Sequence, residues 1–272
     1  MTNEGKLISR VFLDATAVDM QDDMSVWASA GDFTHWAMTV AYLLPGEFPE
    51  DLYNLNKVSF YAAQVDNGGH KQFAQNSGWQ PDIVERVTAG LDQIGATEFS
   101  AVYAEFRRLM DSNLHVHDTV LNQKFGRPPK AVDDFDSRFY KLGGMMRIVA
   151  HGAAWLRSLP NLALLPSEDL AIERAAVMAR NTALEKRRAE RIAARNAAEA
   201  ADPVYVAARR LCALVGLTFS RLTTGSYLDQ PDTTRWGVMT TDGIRFMVIG
   251  PTQAQLQLSD EGKVLATVPV GI

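Results

Sequence analysis

The spacing of apolar residues changes along the chain, and this change constrains the fold more than any other feature. Up to about residue 160, large apolar side chains recur at three- and four-residue steps, which is typical of helices that bury one face. From Thr218 onward β-rich runs replace this spacing, and Asp242-Gly243 between two of them is a strong hairpin signal. The sequence therefore predicts an α+β protein with an all-helical N-terminal domain and a small antiparallel β module of about three to five strands.

A charged segment connects these two parts. Between Pro166 and Pro203 the chain is rich in Ala, Arg and Glu and contains neither glycine nor proline. This composition predicts one continuous helix of ~34 residues, roughly 50 Å long, that packs only near its beginning. The predicted organisation is a helical domain over residues 1–162, a long charged helix or linker over 163–202, and a small α+β module over 203–272.

Composition and charge exclude several classes of protein. The 272 residues include 47% hydrophobic residues and a single cysteine, which leaves no internal disulfide and no cysteine-based zinc site. No segment approaches a membrane span and no signal peptide is recognisable, so we expect a cytoplasmic protein without a cofactor or metal. The net charge of −5 is uneven: residues 1–60 carry −6 and residues 143–217 carry +4, which argues against one continuous nucleic-acid surface.

The segment DNGGHKQFAQNSGW, residues 66–79, interrupts the predicted helices. It lacks the spacing of a phosphate-binding loop and the strand that precedes one. As a catalytic loop it offers His70 as a base, Asp66 as its partner and Ser77 as a nucleophile, but contact is not implied by spacing. The favoured interpretation is a structural corner in which glycines reverse the chain and side-chain amides satisfy backbone groups. Lys71 and Gln75 are candidate contacts to a partner at this corner.

Other polar clusters have structural interpretations that are favoured over functional ones. His115 and His117 lie in HVHD, which is predicted to be a connection, and no third metal ligand is identifiable. The carboxylates of Asp19, Asp22 and Asp23 suit the positive end of a helix dipole, and they are also candidate partner contacts. The predicted charged helix carries a candidate basic contact formed by Arg187, Arg188, Arg191 and Arg195, although ion pairing along a solvated helix is favoured. Two connections are also predicted, at GRPPK (126–130) and at SDEG (259–262).

Residues 50–142 carry a motif that resembles a bacterial domain family of unknown function that includes a DNA-mimic protein. The matching positions of this motif are Asn67, Gly68, Gly69, Gln72, Phe73, Asn76, Ser77, Gly78, Ile94, Gly95, Ala96, Asp136, Phe139 and Tyr140. The resemblance implies a helical fold without established catalysis. It also implies protein binding, since one member is described as occupying the DNA-binding face of a transcription factor, as a dimer, through an acidic surface.

The leading functional hypothesis is a non-enzymatic protein-binding module, serving as an inhibitor, immunity or regulatory protein. The expected partner is another protein or a second copy of the chain. Residues 61–142 carry a net charge of only −2, whereas duplex DNA carries one negative charge per ~1.7 Å, so the charge does not favour DNA mimicry. The alternatives are a hydrolase or nuclease using His70 or the His115/His117 pair, and nucleic-acid binding through the arginines of the charged helix.

Overall fold

The computed structural model describes residues 6–122, 128–228, 233–259 and 262–270. The chain forms two compact units, Met1–Leu184 and Glu185–Ile272. The predicted α+β class and the C-terminal antiparallel sheet are confirmed. The domain limits expected at residues 162 and 202 remain predictions.

Helices make up most of the first unit, and two short strands accompany them. In chain order the elements are β1 (Val11–Asp14), α1 (Asp23–Thr39), α2 (Glu50–Ser77), α3 (Pro81–Gln93), α4 (Thr97–Ser112), α5 (Leu114–Asn122), α6 (Lys130–Lys141), α7 (Gly144–Arg157), β2 (Leu162–Leu165) and α8 (Ser167–Arg180). Local signals begin several of them: the side chain of Asp22 accepts from two backbone N–H groups of α1, and Pro81 opens α3.

The core of the first unit is rich in aromatic side chains from α2, α4 and α6. Tyr61, Phe73, Tyr103, Phe106 and Phe139 are fully buried. Their rings meet edge to face, with the Tyr61 ring 5.0 Å from that of Tyr103 and 5.1 Å from that of Phe73. Such pairs add directional packing to the burial of large apolar area, so they hold α2 firmly against its neighbours.

A parallel strand pair in the first unit departs from the all-helical domain that the sequence predicts. Strands β1 and β2 pair in register from Val11↔Leu162 to Asp14↔Leu165. Each strand has four residues, and the central residues of β1 are buried, so neither shows the apolar–polar alternation that identifies a half-exposed strand. The pair joins the two ends of the helical unit.

The prediction of one continuous helix over residues 166–201 is wrong. Helix α8 ends at Arg180, and a separate helix, α9 (Leu184–Ala201), follows a short turn. The buried side chain of Asn181 donates to Ala41 O at 2.7 Å and accepts from Ala183 N at 3.1 Å. An asparagine that bonds to backbone groups in this way competes with helical hydrogen bonding, and here the tertiary contact ends the helix.

Four segments predicted to form a corner or a connection have different outcomes. Residues 66–77, expected to form a corner, lie within α2, and HVHD lies in α5 rather than in a connection. Pro128 and Pro129 precede α6 as expected, whereas Gly126 and Arg127 lie outside the described residues. Asp260 and Glu261 of the SDEG turn also lie outside them.

The second unit is a helix against a five-stranded antiparallel meander. After α9, its elements are α10 (Pro203–Leu214), β3 (Phe219–Tyr227), β4 (Thr234–Thr240), β5 (Gly243–Ile249), β6 (Gln253–Gln257) and β7 (Val264–Pro269), with strand order β3-β4-β5-β6-β7. Leu211 of α10 shares a core with Val238, Met247 and Leu256 of the sheet. The hairpin predicted at Asp242-Gly243 is confirmed, since Thr240 pairs with Gly243 across it.

Candidate functional site

Helix α2 is broken at the two glycines of the 66–79 segment. Gly68 (φ −161°, ψ 25°) and Gly69 (φ 77°, ψ 179°) are both non-helical. At Gly69 a side chain would be strained by the positive φ, and its Cβ would collide with the carboxylate of Asp136. The break therefore requires glycine at position 69, and helical backbone resumes at His70.

The carbonyl groups before the break receive a donor from α6. Breaking a helix removes the N–H groups that would otherwise reach the last carbonyls of the preceding turn. The hydroxyl of Tyr140 lies 3.0 Å from Val65 O and 3.1 Å from Asp66 O and donates to this pair. Tyr140 thus acts as a cap on the first half of α2, supplied by a distant part of the chain.

Side-chain amides bridge the break on its other side. Gln72 Nε2 donates to Gln64 Oε1 at 2.9 Å, and Asn76 Nδ2 donates to the same oxygen at 2.5 Å. The second half of α2 then ends at Gly78, whose φ of 58° is the left-handed conformation typical of a helix C-terminus. The amides of the predicted motif therefore join the two halves of one helix.

The backbone and the imidazole of His70 are both held by Asp136. His70 N donates to Asp136 Oδ1 at 2.7 Å, and His70 Nδ1 lies 2.6 Å from the same oxygen. On the opposite side of the ring, Nε2 lies 3.0 Å from the hydroxyl of Tyr61. Because a carboxylate oxygen only accepts, Nδ1 carries the ring proton and Nε2 accepts from Tyr61.

Burial keeps this imidazole neutral. The side chain of His70 is 0% exposed and packs against the rings of Phe106 and Phe139. Removal from water lowers the pKa of His70, while the hydrogen bond and charge of Asp136 oppose this shift without cancelling it. Burial also raises the pKa of the Tyr61 hydroxyl well above its ordinary value. We call Tyr61, Gln64, His70, Gln72, Asn76, Asp136 and Tyr140 the kink network.

The kink network does not form the catalytic set considered from the sequence. Asp66 is exposed, and the carboxylate that faces His70 is that of Asp136 instead. The hydroxyl of Ser77 donates to Ala74 O and accepts from Trp79 N, so it serves the end of α2. A buried, neutral imidazole between two partners lacks the access that acid–base catalysis requires.

The residues predicted to contact a partner are each buried or bonded within the first unit. Asp22 caps α1, and Asp19 accepts from Gln21 N in the turn before it. Asp23 pairs with Arg157 at 2.6 Å. Gln75 Nε2 donates to Val120 O at 2.9 Å, and Lys71 is only 8% exposed. Lys71 is therefore not presented to a partner in this conformation.

The two histidines of α5 are not arranged as a metal site. His115 is exposed and His117 is half-buried, with Nδ1 3.2 Å from Asp118 Oδ1. Residues two apart on a helix point in different directions, so the His-x-His spacing loses the shared face that it has on a strand. Within the described residues, no group of three or more His, Cys, Asp or Glu side chains is placed to hold a metal ion.

The arginines of α9 lie on a solvated helix that also carries carboxylates. Arg188 lies 4.0 Å from Glu185, and Arg195 lies 3.7 Å from Glu199. Arg187 and Arg191 also have interaction partners. No residue of this helix is buried. The arrangement agrees with ion pairing along a water-facing helix, which the sequence favours over a nucleic-acid contact.

Sequence reasoning missed the contact between His70 and Asp136 and the roles of Tyr61 and Gln64. His70 and Asp136 are 66 residues apart, so no local window contains both. The available signal was the joint occurrence of the glycine-amide motif and the Asp-x-x-Phe-Tyr motif, which the resemblance identified without explaining.

The longest helix of the described first unit thus contains an internally bonded break. Residues 46–159, which contain the whole kink network, match the family described as DMP19-like protein. Neither the curated proteins nor the solved structures include a significant match to this chain. Among the described residues, no helix is both long enough and apolar enough to cross a lipid bilayer.

Proposed function

We propose that this chain is a non-enzymatic protein-binding module, acting as an inhibitor, immunity or regulatory protein in the cytoplasm. The observation that carries the proposal is that the polar groups of the kink network bond to one another inside the DMP19-like region. These groups stabilise the fold, so we expect the outer surface of the first unit to bind the partner. The partner bound there is another protein or a second copy of the chain.

A surface beside the break is suited to a protein contact. Tyr140 is 49% exposed although its hydroxyl is hydrogen-bonded to two carbonyl groups, and Met146 on the first turn of α7 is 60% exposed. Gly144 adjoins both Tyr140 and the exposed carboxyl group of Asp66. We call the exposed residues Asp66, Tyr140 and Met146 the kink surface. Exposed aromatic and methionine side chains are enriched at protein interfaces.

The acidic turn before α1 is a second candidate contact. Asp19 and Asp22 stay exposed while they bond to nearby backbone N–H groups. These exposed carboxylates could pair with a basic patch on a partner. The charge of the DMP19-like region is too balanced to favour mimicry of duplex DNA, and the proposal does not depend on it.

A quantitative pull-down from the native host with full-length protein tests the proposal. The test variant is Met146→Glu on the kink surface, and the matched control is Ile172→Glu, because Ile172 on α8 is 66% exposed and outside the DMP19-like region. We expect a stoichiometric protein partner with wild type and control, and about tenfold weaker binding of the purified partner to Met146→Glu, as for an interface hot spot.

Two results would contradict this function. The first is failure to recover any stoichiometric partner. The second is turnover in a broad hydrolase panel that is lost when His115 and His117 are replaced by alanine, which would favour the enzymatic alternative.

A further inference from the structure

A groove in the first unit lies outside the DMP19-like region, among β1, α1 and α8. Its volume is about 370 Å³, within the size range of small-molecule sites. Buried apolar side chains of Leu13, Trp36 and Leu170 line part of it, and the more polar lining includes Asp32, His35 and Arg174. An apolar lining with a few charged groups is the usual composition of a ligand pocket.

The guanidinium group of Arg174 is held in this groove without a carboxylate partner. Its carbon lies 5.2 Å from the centre of the Trp36 ring, in a cation–π contact. Within the described chain, Arg174 Nε is buried without a hydrogen-bond acceptor, and no carboxylate lies within 4.0 Å of the guanidinium. A partly buried cation with unfilled donors favours an anionic ligand.

A carboxylate faces the same groove from α1. Asp32 is exposed and precedes Trp36 by four residues, so the two side chains are neighbours on one helix face, with Cβ atoms about 5–6 Å apart. Asp32 forms no ion pair with Arg174, although both line the cavity. The groove thus presents a positive and a negative group that do not pair with each other, beside an apolar wall.

We propose that this groove binds a free α-amino acid with an apolar side chain. The carboxylate of the ligand pairs with Arg174, whose planar guanidinium suits bidentate binding, and the ammonium group pairs with Asp32. The apolar side chain lies against Leu13 and Leu170. A phosphate ligand fits less well because the carboxylates of Asp32 and Asp14 line the same cavity. The proposal is independent of the partner-binding function.

Calorimetric titration of the full-length protein tests the site. The probes are L-leucine and L-phenylalanine, with L-leucinamide, which lacks the carboxylate, and N-acetyl-L-leucine, which lacks the ammonium group. We expect saturable binding of at least one free amino acid at one site per chain. Loss of either charged contact should weaken binding about tenfold or more, both in the blocked probes and in the variants Arg174→Gln and Asp32→Asn.

The matched control is Arg180→Gln, since Arg180 is an exposed arginine on the same helix whose side chain reaches Leu7 O. This variant should bind like the wild type. If Arg174→Gln fails to fold, Arg174→Lys keeps the charge and Asp32→Asn decides the outcome. The proposal is overturned if no probe binds saturably at millimolar concentration, if the blocked probes bind as well as the free amino acids, or if Asp32→Asn retains full affinity.

Discussion

Replacing Asp136 by alanine tests whether the kink network holds the break in α2. The substitution removes the acceptor of two N–H groups, the backbone amide and the Nδ1 of His70, which lie 2.7 and 2.6 Å from Asp136 Oδ1. A buried donor left unsatisfied costs about 1–3 kcal/mol, so the free energy of unfolding should fall by about 2–6 kcal/mol. This is a large fraction of the roughly 5–15 kcal/mol that stabilises a typical domain.

Two companion variants separate the hydrogen bonds from the charge. Asp136→Asn keeps an oxygen acceptor but loses the charge that strengthens both bonds, and we expect a loss of about 1–2 kcal/mol. Asp134→Ala is the matched control, because Asp134 is exposed on the same helix two residues away, and its effect should stay within about 0.5 kcal/mol.

Urea unfolding followed by tryptophan fluorescence measures these losses in the first unit. Trp79 packs against Phe73 and Phe106, both beside the network, so its emission reports on this part of the core. Replacing Trp236 by phenylalanine in all variants removes the tryptophan of the second unit. If Asp136→Ala costs no more than Asp134→Ala, the network does not stabilise the break and our account of the motif is refuted.

Three further predictions use other features of the described chain. Gly31→Ala should raise the free energy of unfolding by about 0.5–1 kcal/mol, because the added Cβ would meet open space within α1. Gly152→Ala should lower it by about 1–3 kcal/mol, because the added Cβ would collide with the Trp27 ring. Equal effects of the two substitutions in urea unfolding would contradict this packing. Burial lowers the pKa of His70 in the folded protein, so the unfolded chain binds the proton first as the pH falls. The free energy of unfolding should therefore decline below about pH 6.5, and the variant His70→Gln should lack this part of the decline. Parallel curves of stability against pH for wild type and variant would contradict this prediction. Replacing Arg187, Arg188, Arg191 and Arg195 by glutamine should leave the retention of the protein on duplex DNA unchanged near physiological salt, because these side chains already have interaction partners. A salt-dependent retention that the substitutions abolish would instead indicate nucleic-acid binding.

Elements with strong local signals could be predicted from the sequence. Pro81 and the apolar stripe that follows it indicate α3, and the structure has a helix over Pro81–Gln93. Asp242-Gly243 likewise indicates the hairpin between β4 and β5. In both cases, the residues that determine the conformation lie within the element itself.

The break in α2 could not be placed correctly because its causes are distant in sequence. Two consecutive glycines favour the end of a helix, and Gly68 and Gly69 do leave helical conformation. Helical backbone resumes at once because Asp136 accepts from the His70 amide and Tyr140 caps the carbonyls before the break. At Asn181 a distant contact has the opposite effect. The composition predicts a continuous helix there, but the hydrogen bond from Asn181 to Ala41, 140 residues away, ends it.

The two polar sites of the first unit differ in what their side chains can do. In the kink network, His70 is enclosed between Asp136 and Tyr61, so a ligand would have to replace internal hydrogen bonds to reach it. In the groove, Arg174 and Asp32 face one cavity without pairing to each other, so a ligand of complementary charge would add contacts and remove none between them. The DMP19-like region therefore contains the polar site that shapes the fold. The groove that we propose as a ligand site lies in chain segments outside that region.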